Sequence, residues 1–277
     1  MANRSATITL YSRPACVHSH RVRLVMAEKG VASYEVVELR EDEESEDLLE
    51  LNPYNTVPTL VDRDLVVYDP RIILEYIDER YPHPPLMPVD PVLRAQYRLA
   101  IFRMESDLYA LCDDLESTPA VARKARERMI ELLTQLAAEF SPREYIGEEF
   151  SLVDCTLAPI LWRLDHYGVK LPERHGKQLS RYAQRLFARP AFAESLSAIE
   201  ADMGQGDAGY TGPIRRLHLA QPAVHRRLRA PSLRNRRRDA LGARARRRVG
   251  AAQVHPKPLW RGRRQPAQRV RPDRLAA

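Results

Sequence analysis

The chain has 277 residues, 44% of them hydrophobic, with three cysteines and a formal net charge of +7. That is ample apolar content for one or two cores. It provides too few cysteines for a disulfide framework and no apolar run of the roughly 18 residues a membrane span needs. The charge is lopsided: residues 204–277 hold 20 basic and 3 acidic groups, net +17, so residues 1–203, with 24 basic and 34 acidic groups, stand at −10. Such an acidic body is not built to attract nucleic acid.

The opening MANRSATITLYSR has no hydrophobic leader, so no export is expected, and the cysteine usage fits a reducing cytoplasm. ATITLYS (6–12) reads as a strand. HRVRLVMAEKG reads as a helix with Val22, Val25 and Met26 on one face and Gly30 ending it. SYEVVEL (33–39) is a second strand. The acidic stretch that follows makes a short solvated helix stopped at Asn52 and Pro53. VPTLVDRDLVVYD gives two strands about a turn at Asp62, Arg63 and Asp64. In PRIILEYIDERYP, Pro70 suits a first helical position, Ile73, Tyr76 and Ile77 line one face, and Pro82 ends the helix.

The order β-α-β-α-β-β-α is a compact α/β unit with a mixed sheet. DERYPHPPLMPVDP (78–91) follows, with prolines at 82, 84, 85, 88 and 91 around one histidine, His83. Beyond it the pattern is helical. Tyr97, Ile101, Met104, Leu108, Leu111 and Leu115 form one stripe; Ala122, Ala125, Met129, Leu132, Leu136 and Phe140 form another, both read as core. In FSLVDCTLAPILWRL (150–164), Ser151 can cap a helix while Asp154 reaches back to the Ser151 backbone. That helix is apolar nearly all round, so Cys155 reads as a buried, inert thiol. In the tail, 19 of the 20 basic residues are Arg, in clusters such as RNRRRD and ARARRRVG. It is too polar to order itself and is expected to be disordered. It reads either as an arginine-rich arm for RNA or DNA or as a tail without selected function, such as a shifted frame through GC-rich DNA.

The α/β unit with TVPTL before its third strand, the proline segment, the helical part with SLVD opening a buried helix, and ARPAF near Arg189 together resemble the glutathione S-transferase fold over about residues 6–203. The resemblance implies a thioredoxin-like α/β N-terminal domain (6–82), a proline-rich linker (83–91) and an all-α C-terminal domain (92–203); it leaves the tail (204–277) unexplained. It further implies a homodimer. In that family the proline matching Pro58 is cis, so that the backbone at Val57 pairs with a bound peptide.

Two places bear on catalysis. Cys16 lies just before the first helix, where amide groups and the helix dipole favour the reactive thiolate of a cysteine. Cys16-Val17-His18-Ser19 is similar to a one-cysteine glutaredoxin motif, with Val17 where proline commonly stands. At the second place, Asp69-Pro70 replaces the Glu-Ser with which such transferases hold the γ-glutamyl carboxylate of glutathione. Pro70 offers neither hydroxyl nor N–H, and each missing charge-assisted bond forfeits about 1.5–3 kcal/mol. Glutathione binding is therefore disfavoured and no cofactor is expected. Cys16, His18 and His20 lie close in sequence but follow no recognised ligand spacing, so no metal site is expected.

The segment EYIDERYPHPPLMPVDP, with HRVRLVMAEKGV, LNPYNTVPTLVDRDL and SLVDCTLAPILWRL, resembles one branch of this superfamily, the stringent starvation protein A family of bacteria. What this implies is a transcription regulator without catalysis of its own. It would bind RNA polymerase holoenzyme and its sigma factor through Pro82, His83 and Pro84, with Tyr81 and Pro85 in the surrounding surface. Direct DNA binding is not expected except through the basic tail. The alternative reading is a glutathione-dependent thiol transferase using Cys16.

Overall fold

The structure is a computed structural model that describes residues 8–40, 45–139 and 144–204. The expectation of disorder in the tail therefore lies outside the described residues, save Gly204, as do residues 6 and 7 of the first strand and Phe140 of the second stripe.

The first half runs β1 (Ile8–Ser12), α1 (Val17–Glu28), β2 (Tyr34–Glu38), α2 (Glu46–Leu51), β3 (Thr59–Asp62), β4 (Leu65–Val67) and α3 (Pro70–Arg80). The strands form one sheet in the order β2-β1-β3-β4, with β2 parallel to β1 and both later pairings antiparallel. The α1 crossover is what lets β2 run parallel, whereas Arg63 at φ 58° makes the tight β3–β4 reversal. Alternation along the strands splits the sheet's faces. Leu10 and Leu60, paired in register, join the main core, while Tyr11 and Val61 pack with Leu39 and Leu48 near α2. Gly30, at φ +58°, turns the chain out of α1 into β2.

The second half comprises α4 (Pro91–Asp107), a 3-10 turn (Tyr109–Leu111), α5 (Cys112–Leu115), α6 (Pro119–Glu139), α7 (Leu152–Trp162), α8 (Glu173–Phe187), α9 (Pro190–Ser195) and α10 (Ala198–Met203). Every residue of α7 is buried. Its start is built as the sequence suggests: Ser151 Oγ accepts the Val153 N–H at 3.2 Å, and Asp154 Oδ2 accepts the Ser151 N–H at 2.9 Å. Asp154 also accepts from Tyr182 Oη (2.6 Å) and the Ile146 N–H (3.1 Å). These donors satisfy a carboxyl whose pKa burial raises.

Two stripes differ from expectation. The first is broken at Leu108, where α4 gives way to the 3-10 turn and Tyr109 donates its hydroxyl to the Thr156 carbonyl of α7 at 2.8 Å. In α6 the buried positions are Ala122, Ala125, Met129, Leu133 and Ala137, while Leu132 and Leu136 are only half-buried. The buried face thus runs through Leu133 and Ala137, one position on from the Leu132 and Leu136 that were read as core.

The two halves share a core. One contiguous cluster runs from Leu10 and Ile73 through Leu86 and Met87 to Leu157, Ile160 and Phe192. Its seam is α1, buried on nearly all sides against α3, α7 and α9. The Arg189 of ARPAF clamps that seam: its guanidinium forks onto Glu28 at 2.6 and 2.7 Å and lies 3.7 Å from the Phe150 ring centroid.

Candidate functional site

Two groups of residues were singled out from the sequence, and the fold sets them in different places. The first surrounds the start of α1. Cys16 is the N-cap, half-buried, and its Sγ accepts the Ser19 N–H at 3.4 Å. The Val57-Pro58 bond is cis, as the resemblance implies. Asn52 stiffens the chain leading to it, with its Nδ2 at 3.1 Å from the Thr56 carbonyl and from the hydroxyls of Thr56 and Thr59.

Asp69 caps α3, and its carboxylate is already engaged. Oδ1 accepts the Arg71 N–H (2.9 Å) and Nε (3.1 Å), and Oδ2 accepts Nη2 (2.8 Å). The Arg71 side-chain bonds hold the Asp69 carboxyl below its ordinary range. Pro70 follows at the first helical position without a donor. The place where a transferase would grip a γ-glutamyl carboxylate thus presents a proline ring and an acid satisfied by its own neighbour.

The two histidines near Cys16 go separate ways. His18 Nδ1 accepts from Arg21 Nη2 at 2.9 Å, and its ring lies 4.8 Å from that of Tyr109. Arg21 is fully buried, pairs with Glu105 of α4 and stacks 4.3 Å from the Tyr109 ring centroid. Burial first, then Arg21, pushes the His18 pKa down to about 3. His20 Nδ1 accepts from Arg163 Nη1 at 2.9 Å, so its Nε2–H faces Ser195 Oγ at 3.1 Å. Burial first, then the Arg163 and Arg23 guanidiniums, holds the His20 pKa well below its usual value. His18 thus turns to Arg21 and to Tyr109 of the 3-10 turn and His20 to α7 and α9, and among the described residues no group of three His, Cys, Asp or Glu side chains is placed to hold a metal ion.

Sequence reasoning missed the charge cluster behind this loop. Glu200 of α10, wholly buried, accepts from Arg23 Nη2 at 2.5 Å, from Arg163 Nη2, and from the Ser197 N–H at 2.9 Å. Arg23 also donates to Ser12 Oγ (2.7 Å) and the Ser195 carbonyl (2.9 Å). Arg163 reaches the Ala15 carbonyl (3.0 Å), and Ser197 Oγ donates to the Pro14 carbonyl (2.7 Å). The loop carrying Cys16 is thereby fastened to α7 and α10. No local signal marks residues 23, 163 and 200 as partners.

The second group is the proline segment. Tyr81 caps the end of α3 and is half-buried, with Arg80 5.4 Å from its ring centroid. Pro82, His83, Pro84 and Pro85 are all exposed, with His83-Pro84 cis; Leu86 and Met87 then dive into the core at 3% and 7% exposure. The exposed residues do not hang free. Asp78 Oδ1 accepts the Leu86 N–H at 2.8 Å and lies 2.5 Å from Lys29 Nζ, which also donates to the Pro84 carbonyl at 2.5 Å. The Leu86 carbonyl in turn accepts the Leu152 N–H at the start of α7 (2.9 Å), and Arg94 Nε holds the Pro88 carbonyl (2.9 Å). What the sequence offered as a linker is a short displayed loop pinned at both ends. Lys29 and Asp78 went unread, although both fall in register with apolar faces: Lys29 three residues after Met26, and Asp78 four after Leu74.

Comparisons with known proteins agree with this geometry. The family model described as "Glutathione S-transferase, N-terminal domain" matches residues 10–85, and "Glutathione S-transferase, C-terminal domain" matches residues 99–190. Among solved structures, the chain is similar to glutathione transferase Omega 3C from Trametes versicolor. The TM-score is 0.60 at 25% identity, covering 71% of this chain and 90% of that one. The theta class glutathione S-transferase from Xanthomonas axonopodis pv. citri gives 0.63 at 25% identity, covering 69% and 97%. Sequence relatives are nearer. The stringent starvation protein A homolog of Coxiella burnetii is 45% identical over 206 residues, which is 74% of this chain and 98% of that protein. That of Haemophilus ducreyi is 46% identical over 198 residues, 70% and 92%. A probable maleylacetoacetate isomerase of Caenorhabditis elegans is more distant, at 27% over 216 residues. On identity and on near-complete coverage of its relatives, the chain belongs to the stringent starvation protein A family, within the glutathione S-transferase-like superfamily.

Proposed function

We propose that this protein regulates transcription in the cytoplasm, in a stress or starvation response, by binding RNA polymerase holoenzyme and its sigma factor through the loop at Pro82, His83, Pro84 and Pro85. The observation that carries the reading is the loop itself, which is exposed at its tip yet fixed by Lys29, Asp78, Leu86 and Met87. Three of the four tip residues have a fixed φ and no N–H, so the loop loses little further freedom when a partner docks. His83 supplies a ring that stacks and both donates and accepts hydrogen bonds. The partner-binding surface takes in Tyr81, and the acidic body favours a basic face on the polymerase. In this role the chain works as a homodimer and needs neither cofactor nor catalysis.

The test is co-purification. Alanine at Pro82, His83 and Pro84 together should weaken retention of polymerase by about thirtyfold, the roughly 2 kcal/mol of an interface hot spot, with the fold intact. Unchanged retention would defeat the reading.

One observation favours a second reading, a glutathione-dependent thiol transferase: Cys16 is only half-buried and receives the Ser19 N–H at the start of α1. It requires turnover of a disulfide with glutathione that disappears in Cys16→Ala. Asp69, occupied by Arg71, and the donorless Pro70 weigh against it.

A further inference from the structure

We propose that Lys29 and Asp78 are the positioning pair of the docking loop, acting on a partner through the shape they give His83. This rests on the reading that the loop docks. Among residues 82–85 only His83 has a backbone N–H, since prolines carry none. The loop therefore has almost no means of holding itself by its own main-chain hydrogen bonds, and a donor must come from outside. Lys29 is that donor. Its side chain is entirely buried, and a buried ammonium needs acceptors; it has the Asp78 carboxylate and the Pro84 carbonyl, each at 2.5 Å.

The same carboxylate oxygen takes the Leu86 N–H at 2.8 Å, so one ion pair fixes the chain on both sides of Pro85. Lys29 can reach there because it caps the end of α1, where helix carbonyls also favour a cation, while Asp78 comes from the last turns of α3. His83 touches neither residue in any hydrogen bond among the described residues, so the pair would influence binding only through the loop.

The experiment uses the full chain and purified RNA polymerase holoenzyme. Lys29→Met alone would strand a buried carboxylate, so the informative variant is Lys29→Met with Asp78→Asn. It removes both charges together and leaves the Asn oxygen to accept the Leu86 N–H. Melting temperature, the NMR signals of the His83 ring and polymerase affinity are measured beside the parent and the Pro82, His83 and Pro84 alanine variant. The expected result is a double variant that melts close to the parent, shows displaced His83 signals and binds polymerase at least tenfold more weakly.

Parental binding by the double variant, while the alanine variant has lost it, overturns the positioning role and leaves the docking reading standing. Parental binding by the alanine variant removes the docking reading and this inference with it. Should the double variant not fold, Lys29→Arg takes its place, because a broad guanidinium cannot occupy the point between Asp78 and Pro84 as an ammonium does. Weakened binding then supports the role and parental binding overturns it.

Discussion

Replacing Glu200 by glutamine tests whether the charge cluster around α10 holds the fold together. Gln is nearly isosteric, so the change removes charge and leaves packing. In the parent, one carboxylate without solvent exposure serves two guanidiniums and the Ser197 N–H. Arg23 and Arg163 are themselves buried, at 7% and 0% exposure, and the depressed pKa of His20 beside them keeps it from adding a third positive charge. After substitution, two buried cations face one amide oxygen and an amide NH2 that points donors at donors. Removing one partner of a buried ion pair destabilises by about 3–5 kcal/mol, a large share of the roughly 5–15 kcal/mol that keeps a domain folded. For a body of this size that lowers the melting temperature by about 6–20 °C. Differential scanning calorimetry at neutral pH, with urea unfolding as a second measure, provides the reading. A shift below about 2 °C would refute the reasoning and place Glu200 at the surface in solution.

Other expectations follow from the same side chains. Acid should loosen the protein early. His18 and His20 have folded pKa values depressed below 6.5, so the unfolded chain takes up protons first, and stability is lost as pH falls below that value. Two such groups give up to about 2.7 kcal/mol per pH unit between about pH 6 and 4. Near pH 4 the lowered Asp69 deepens the loss and the raised Asp154 offsets part of it. A flat urea-unfolding profile from pH 7 to 5 would contradict this. A thiol reagent should modify Cys16 in the folded protein, whereas Cys112, pushed up to about 12 by burial, and Cys155, buried completely, should react only in denaturant. Mass spectrometry that finds a second labelled thiol without denaturant rejects that order. Finally, alanine at Pro82, His83 and Pro84 should change unfolding free energy by no more than about 1 kcal/mol, since these side chains face solvent. A larger loss would mean that the loop supports the fold.

Much of the architecture is written locally. Alternation, the Gly30 stop, the Asp62-Arg63-Asp64 turn and Pro70 at a helix start mark the order of the sheet half, because each depends on neighbours in sequence, although α1 begins at Val17, three residues before the stretch read as helix. The Ser151–Asp154 cap is legible for the same reason. The helical half is less so: a stripe that steps by three or four continues through Leu111 and Leu115 whether or not the chain bends at Leu108, and the bend accompanies a tertiary bond to Thr156. In α6 a step of three from Met129 lands on Leu132, whereas the buried face takes a step of four to Leu133, and adjacent leucines give the sequence no means to choose. The charged cluster is illegible because Arg23, Arg163 and Glu200 are distant in sequence and each reads as solvated alone. The candidate loop is visible in its prolines. Its supports show only as two charged residues in register with apolar faces, a signal that gains meaning once the fold brings α1 and α3 together.

The burial of Leu86 and Met87 immediately behind the displayed tip has an evolutionary consequence. Tyr81 ends a helix on one side and Leu86 is bolted to the start of α7 on the other, so the span between them has no slack. An inserted or deleted residue would drag Leu86 from its socket or tear it from Leu152. Relatives that retain this core should therefore vary the tip by swapping residues at constant length, which makes it a site for tuning partner choice and a poor one for growing a new loop.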